Sequence, residues 1–340
     1  MAVACLLSID SNLFYMKIIV TGGAGYIGSH TLKTLHENGH ETLTIDNLST
    51  GYKEFVKWGE FEEVDICELD KLKNLFRKFN ADGVIHFAAS SIISESFNDP
   101  IKILNNNIYG SLNVLEAMKF SGTKNIIFSS SCSIYGIPEK NPIDESANRN
   151  PISPYGESKL FIENVLDWFN KAKIINYIAL RYFNAAGGDP DCELGEEHNP
   201  ETHLIPSILD AAIGVKPSFE LYGKNFPTKD GTCIRDYIHV SDLAMAHMLS
   251  LEKLISEEIS MSLNIGTGKG ISVMEVVDAV KRNLKVGFDI NIMEKRSGDP
   301  VELIANPRMA KEYLNWNPKF SDLDNIINTA YAWKRSRHRV

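Results

Sequence analysis

The chain has 340 residues, 44% of them hydrophobic and 23% charged, with a formal net charge of −9. That length and balance suit one large or two ordinary domains with well-formed cores and exclude the disordered and fibrous classes. The acidic excess argues against a general nucleic-acid surface, and the basic cluster at the end of the chain, Lys334-Arg335-Ser336-Arg337-His338-Arg339, reads as a solvated, frayed terminus.

Five cysteines (Cys5, Cys67, Cys132, Cys192, Cys233) are odd in number and widely spaced, with no Cys-x-x-Cys and no histidine at ligand spacing. Neither a disulfide framework nor a metal site is expected, and a reducing, cytoplasmic compartment is. Met1 to Tyr15 carries the apolar patch Ala2 to Leu7 but lacks a basic segment and soon meets Asp10, which makes a poor signal peptide; residues 1–16 are read as a tail. No run suits a membrane span.

The first strand signal is the apolar run Lys17 to Val20, followed by Gly22-Gly23-Ala24-Gly25-Tyr26-Ile27-Gly28 and an amphipathic segment starting near Tyr26. Glycines three apart let the backbone turn tightly and approach a pyrophosphate without a Cβ in the way. The helix that follows offers free N–H groups and its positive dipole end to the phosphates. A second strand, Glu41 to Ile45, ends in Asp46, eighteen residues past Gly28. That is roughly the offset at which a carboxylate accepts the ribose hydroxyls of an adenosine and repels a 2′-phosphate. Asn47, Leu48 and Ser49 come next with no arginine, so NAD is favoured over NADP.

Glu62 to Val64 leads into Asp65-Ile66 and a helix with Leu69, Leu72, Leu75, Phe76 and Phe79 at helical spacing. Asp65, at a strand's carboxyl end, suits either the adenine edge, with Ile66 on the adenine face, or a cap for the next helix. Gly83 to Phe87 is a fourth buried strand opening into Ala88-Ala89-Ser90-Ser91, small residues that let backbone pass close beneath a cofactor. One long helix is predicted from about Pro100 to Phe120, with Ile101, Leu104, Ile108, Leu112, Leu115 and Met118 on one face. An amide at Asn106 or Asn107 either bonds the cofactor or is satisfied within the helix.

Strand five, Asn125 to Ser130, turns away through the hydroxyl-rich Ser131-Cys132-Ser133. A Pro- and Asn-rich loop then leads to Tyr155-Gly156-Glu157-Ser158-Lys159 and a helix through about Lys171. Tyr155 and Lys159, at i and i+4, lie one above the other on a helix face. A phenol of ordinary pKa near ~10 is a poor base at neutral pH, but a lysine ammonium one turn away and a cationic nicotinamide ring both favour the phenolate. Tyr155 then takes a proton from a substrate hydroxyl as hydride leaves the same carbon, with Ser131 hydrogen-bonding the oxygen.

After a sixth strand, Ile178 to Arg181, the alternation of strand and helix lapses, and a second domain is placed there. It contains a helix opened by His203-Leu204, short strands at Phe219 to Tyr222, Asp236 to Val240 and Leu263 to Ile265, and helices near Ser272 to Leu284 and Leu323 to Arg335. The expected architecture is α/β. A doubly wound parallel Rossmann sheet spans residues 17–184, and a smaller mixed α/β substrate-binding domain spans residues 185–340, with some strands and helices returning to the first.

From Lys17 to about Arg335 the chain resembles the extended short-chain dehydrogenase/reductases, and within them the UDP-glucose 4-epimerase family. The resemblance rests on the glycine loop, Asp46-Asn47-Leu48, His86-Phe87-Ala88-Ala89, Ser129-Ser130-Ser131, Tyr155-x-x-x-Lys159, Arg181-Tyr182-Phe183-Asn184, and above all Asp230-Gly231-Thr232-Cys233-Ile234-Arg235-Asp236-Tyr237-Ile238-His239-Val240. It implies a permanently held NAD that oxidises C4 of a UDP-sugar, a 4-keto sugar that turns over in the pocket, and return of the hydride to the other face, which interconverts UDP-glucose and UDP-galactose. It also implies a cofactor site of Gly22, Gly25, Tyr26, Ile27, Gly28, Asp46, Asn47, Asp65, Ile66, Phe87, Ala88, Ala89, Asn106, Ser129, Tyr155, Lys159 and Phe183. Asn184, His203, Leu204, Glu220, Leu221, Tyr222, Arg235, Arg296 and Asp299 are carried onto UDP contacts, where arginine forks suit a diphosphate. Two positions depart from the pattern: Ser91 stands where some relatives have a lysine near the nicotinamide, and Leu303 where some have a tyrosine beside the sugar. A 4,6-dehydratase or a UDP-glucuronate decarboxylase is disfavoured, because acidic residues they need after the strand-five hydroxyl are replaced by Cys132-Ser133. A dinucleotide-binding sensor without activity is disfavoured because Tyr155 and Lys159 are both present. A homodimer through the helices near Pro100 to Phe120 and Tyr155 to Lys171 is implied by the family.

Overall fold

The computed structural model describes residues 15–296 and 299–338, so residues 1–14 of the expected tail lie outside the described residues. Seven parallel strands form the central sheet: β1 (Lys17–Thr21), β2 (Glu41–Asp46), β3 (Glu60–Glu63), β4 (Gly83–His86), β5 (Asn125–Ser131), β6 (Asn176–Tyr182) and β7 (Met261–Ile265). Their spatial order is β7-β6-β5-β4-β1-β2-β3. Successive side chains of a strand face opposite sides, and β1 is apolar on both: Ile19 enters a core with Leu43, Val84 and Phe128, while Ile18 and Val20 enter another with Leu32, Ile85 and Leu263.

Helices close both faces. On the Ile19 side lie α2 (Leu69–Phe79), α3 (Gly110–Ser121) and α4 (Pro154–Lys171), through Phe76, Leu115, Ile162 and Val165. On the other lie α1 (Tyr26–Glu37) and α6 (Val240–Glu257), through Leu35, Leu243 and Leu251. The chain runs from β1 outward to β3 and crosses back to β4 on the far side of β1. The order therefore reverses between β1 and β4, and the crevice outside their carboxyl ends is where an open α/β sheet receives ligands.

Three expectations are corrected. The helix predicted over residues 100–120 is broken: Asp99 caps Pro100–Leu104, a widened π turn occupies Asn105–Tyr109, and α3 follows. The widened turn carries Asn107, whose amide bonds Ser90 and Ser158, a local use of backbone typical of functional sites. Leu263 to Ile265 lies not in the second unit but in β7, which pairs with β6 at the edge of the central sheet and sends Leu263 and Ile265 into the core with Ile18 and Val20. Over its described residues the basic end is not frayed: α8 (Leu323–His338) buries Lys334 on Asp210 at 2.8 Å and lays Arg337 over Trp333, and Arg339 lies outside the described residues.

Beyond β6, a smaller core gathers Ile205 and Ile208 of α5 (Leu204–Ala212), Val276 and Val280 of α7 (Val273–Leu284), and Ile326 and Ile327 of α8. Around it the strand Ser218–Tyr222 pairs with Asp289–Met293, and Ile234–Arg235 pairs with Ile271–Ser272 and Glu302–Leu303. No helix among the described residues is long and apolar enough to cross a membrane.

Candidate active site

One cavity of ≈ 1340 Å³ runs from the glycine turn to the strand pair that carries Arg235 and Leu303. That exceeds the usual pocket for one drug-sized ligand, roughly 300–1,000 Å³, and suits two extended ones. All the site residues expected from the sequence line it except Asp65.

At the turn after β1, Gly22 has a φ of +74°, and a Cβ there would stand 2.5 Å from the backbone N of Ala88. A Cβ at Gly28 would stand 2.3 Å from the carbonyl O of Gly22. Glycine is thus required by contact at both ends of the motif. Gly25 is the N-cap of α1 and supplies no side-chain cap, so the first N–H groups of the helix, at Tyr26 and Ile27, have no intrahelical acceptor and border the cavity. The Asp46 carboxylate is buried and accepts the N–H of Ala24 at 3.0 Å and of Leu48 at 2.8 Å. Burial raises its pKa above the usual carboxylate value, with those two bonds pulling it back.

These groups form a cradle that fits NAD. Asp65 instead turns toward its own chain, accepting the Cys67 N–H at 2.7 Å and the Asn47 amide at 2.8 Å, while Ile66 faces the cavity. Asn106 lines the cavity and donates to Ser90 Oγ at 3.3 Å; Asn107, buried behind it, accepts the Ser90 N–H at 2.8 Å and donates to Ser158 Oγ at 3.1 Å.

On α4, Tyr155 and Lys159 are both buried, with the ammonium 5.7 Å from the phenol ring centroid. Lys159 Nζ donates to the Ser129 carbonyl at 2.7 Å, and Tyr182 shares a 2.5 Å hydroxyl bond with Ser129 Oγ. The expectation is that the ammonium and a cationic nicotinamide ring together favour the phenolate, and the protein itself supplies only the first of these. Burial pushes the Tyr155 phenol well up, Tyr182 adds to this, and a hydrogen bond with Ser131 pulls the other way. Burial also brings the Lys159 ammonium down to about 7. Among the protein's own groups, burial and Tyr182 thus oppose the phenolate, which leaves the cationic nicotinamide ring as the group that favours it.

Across the cavity, Arg235 Nη1 donates to the carbonyls of Ile234 at 2.8 Å and Pro300 at 2.9 Å, and the Arg296 guanidinium lies 4.2 Å above the Tyr222 ring. Among the described residues neither arginine forms an ion pair with a carboxylate, which leaves both charges available. Tyr222 donates to Glu220 Oε2 at 2.7 Å. Asn184 opens the strand Asn184–Ala186, and His203 is the N-cap of α5, ahead of Leu204. Leu221 faces the smaller core, and Leu303 packs in a cluster with Cys132, Ile134 and Phe183.

The model of the NAD dependent epimerase/dehydratase family matches residues 18–266, nearly three-quarters of the chain. The chain belongs to this family. Similar to this family member is the UDP-glucose 4-epimerase of Lacticaseibacillus casei, 44% identical over 94% of this chain and 96% of the relative. Among solved structures, the UDP-glucose 4-epimerase of Brucella ovis in complex with NAD superposes with a TM-score of 0.90 at 46% identity, covering 93% of this chain and 97% of that one. The Bifidobacterium longum UDP-glucose 4-epimerase in complex with NAD+ and UDP gives 0.89 at 32% identity, covering 95% and 99%. The cofactor of the family is the one that the glycine turn and Asp46 fit.

Sequence reasoning about this epimerase/dehydratase chain missed the supports behind the site. Arg181 of β6 forms a buried two-toothed pair with Glu163 of α4, at 2.9 and 2.6 Å, and Ser130 donates to the same glutamate at 2.6 Å. That pair fixes α4, and with it Tyr155 and Lys159, against the sheet. A charged residue inside the otherwise apolar run of β6 was the available signal. The bond between Tyr182 and Ser129 was also missed, since the two are distant in sequence, and Asn107, weighed as a cofactor contact or a locally satisfied amide, is bonded to Ser90 and Ser158.

Proposed function

We propose that the protein interconverts UDP-glucose and UDP-galactose by reversible oxidation at C4 of the sugar through a 4-keto intermediate. What carries this reading is the single cavity that sets Tyr155, Lys159 and Ser131 between the dinucleotide cradle and two arginines free of carboxylate partners. The similarity to UDP-glucose 4-epimerases over nearly the whole chain supports it.

Bound NAD supplies a hydride acceptor, then a donor, and a cationic ring beside Tyr155. Tyr155 Oη takes the proton of the C4 hydroxyl as the carbonyl forms and gives it back after the sugar has turned. Ser131 Oγ holds the C4 oxygen in both states. Lys159, fixed on the Ser129 carbonyl, keeps a positive or hydrogen-bonding group behind the phenol. Arg235 and Arg296 hold the diphosphate while the sugar reorients, with Asn184, His203, Leu204, Glu220, Leu221, Tyr222 and Asp299 around the nucleotide and Leu303 near C2. Incubation with UDP-galactose and a coupled assay for UDP-glucose tests the reading. Turnover without added NAD is expected; a strict requirement for added NAD, with reduced cofactor accumulating in step with product, would indicate a dehydrogenase.

The free thiols of Cys67, Cys132, Cys192 and Cys233 fit a cytoplasmic setting. Exposed Ile101, Phe161 and Trp168 on the Pro100–Leu104 helix and α4 support a homodimer through these elements, to be checked by sedimentation.

A further inference from the structure

Between the strand Asn184–Ala186 and α5, the chain brings Glu196, His198, Glu201 and His203 to one point of the cavity wall, with one ligand atom from each within 4.8 Å of all the others. We propose that this cluster binds one divalent transition-metal ion of the zinc type, through Nδ1 of both histidines and one carboxylate oxygen of each glutamate.

Geometry is the first support. Around a tetrahedral ion with ligands at about 2.0–2.2 Å, neighbouring ligand atoms stand roughly 3.3–3.6 Å apart. With Glu201 Oε2 as that residue's ligand atom, His203 Nδ1 lies 3.2 Å from Glu196 Oε1, and His198 Nδ1 lies 3.6 Å from Glu196 Oε1 and 3.7 Å from Glu201 Oε2, while the other oxygen, Glu201 Oε1, stands 3.2 Å from His203 Nδ1 and accepts the backbone N–H of His203. The His198 contacts are too long for hydrogen bonds and close to tetrahedral edges.

Unmet polar groups are the second. Both glutamate side chains are 7% exposed, and Glu201 Oε2 and His198 Nδ1 are buried without a hydrogen-bond partner. Two buried carboxylates are costly without matching positive charge, and two neutral imidazoles with two carboxylates make a neutral site around a divalent cation. The nearby acidic group Asp189, Asp191 and Glu193 shows the contrast, since the Lys33 ammonium already fills it at 2.9 Å from each. Among the described residues no lysine or arginine pairs with these four, and the positive partner of the two glutamates is the His203 imidazole, which, against burial, they raise to about 9 and whose proton a divalent ion would displace. The expectation from sequence, based on the lack of a Cys-x-x-Cys and of histidines at ligand spacing to the cysteines, is no metal; the pattern Glu-x-His-x-x-Glu-x-His contains no cysteine. The ion would sit beside the Tyr26 end of α1 and the His203 cap of α5, where it neutralises negative charge at the edge of an anion-binding cavity.

Co²⁺ titration of the tag-free, chelator-treated full chain with its NAD tests this independently of turnover. One Co²⁺ per chain is expected, with the strong visible absorption of a tetrahedral site, lost on adding Zn²⁺. His198→Gln and Glu201→Gln should each weaken binding at least about tenfold and abolish the rise in Tm that Zn²⁺ gives the parent protein. A parent protein that binds no Co²⁺ at micromolar concentration, or variants that bind it equally well, would overturn the proposal and leave an ion-pair network.

Discussion

On the cavity wall formed by the carboxyl ends of β1, β4 and β5, polar groups are already held in place. Asp46 accepts two backbone N–H groups, Lys159 donates to the Ser129 carbonyl, and Asn107 bridges Ser90 to Ser158. On the opposite wall Glu220 and Arg296 are exposed, and Arg235 has only carbonyl oxygens among its hydrogen-bond partners. Proton and hydride transfer tolerate little misplacement, so the first wall is set before substrate arrives. Recognition of a diphosphate needs charge that is not yet committed, so the second wall leaves it uncommitted at little desolvation cost.

The hardest test of this contrast removes the reacting phenol from the fixed wall. Tyr155→Phe should cut kcat by about 10²- to 10⁴-fold, the usual worth of a positioned acid-base group, while the purified protein keeps its NAD. A rate near that of the parent protein would take the chemistry away from this wall. Next comes its support. Glu163→Ala leaves Arg181 buried without its partner, a loss of about 3–5 kcal/mol by the usual cost of breaking such a pair. Denaturant midpoints measure it, and a change under about 1 kcal/mol would show that α4 does not depend on this pair.

Lys159 gives the pH dependence. Burial sets its folded pKa at about 7, below the ordinary value. Between the two values the unfolded chain binds more protons, so this group makes stability rise as pH climbs from 7 toward the ordinary lysine value near ~10.4. Lys159→Met removes that slope. The parent protein should gain on the order of 1–3 kcal/mol relative to the variant between about pH 7 and 9, read from paired urea unfolding. Parallel curves would mean that the ammonium is fully compensated where it sits.

The same contrast explains what could be read without coordinates. The fixed wall is made by local patterns: glycines at 22, 25 and 28, a carboxylate at a strand end, and Tyr155 and Lys159 one turn apart. Each of these is a rule about neighbours in the chain, and the structure places each of them on the cavity. What holds those groups was not legible, because Arg181 meets Glu163, Tyr182 meets Ser129 and Asn107 meets Ser158 only through the fold. Helix periodicity likewise could not show the π turn at Asn105–Tyr109, from which Asn107 bonds the Ser90 loop. The forces on Tyr155 were only partly legible for a related reason: spacing shows that a lysine is near, but not how thoroughly both groups are buried.

The smallest effect concerns the boundary of the open wall. Leu303, on the short strand beside Arg235, is 9% exposed and packs with Cys132, Ile134 and Phe183. A tyrosine there is larger, and since one side is filled by that cluster, the added ring has room only toward the cavity. Leucine leaves that space to an acetamido group at C2 of the sugar, so the parent protein should turn over UDP-N-acetylglucosamine, more slowly than UDP-glucose. Leu303→Tyr should lower kcat/KM for the acetamido sugar by roughly 10- to 200-fold, the ~1–3 kcal/mol that an apolar pocket change commands, and should change UDP-glucose much less. The ratio of the two constants is the measurement, because loss of stability or of NAD would depress both together. A ratio that stays the same would mean that the acetamido group passes elsewhere and that Leu303 serves only to fill the cluster behind it.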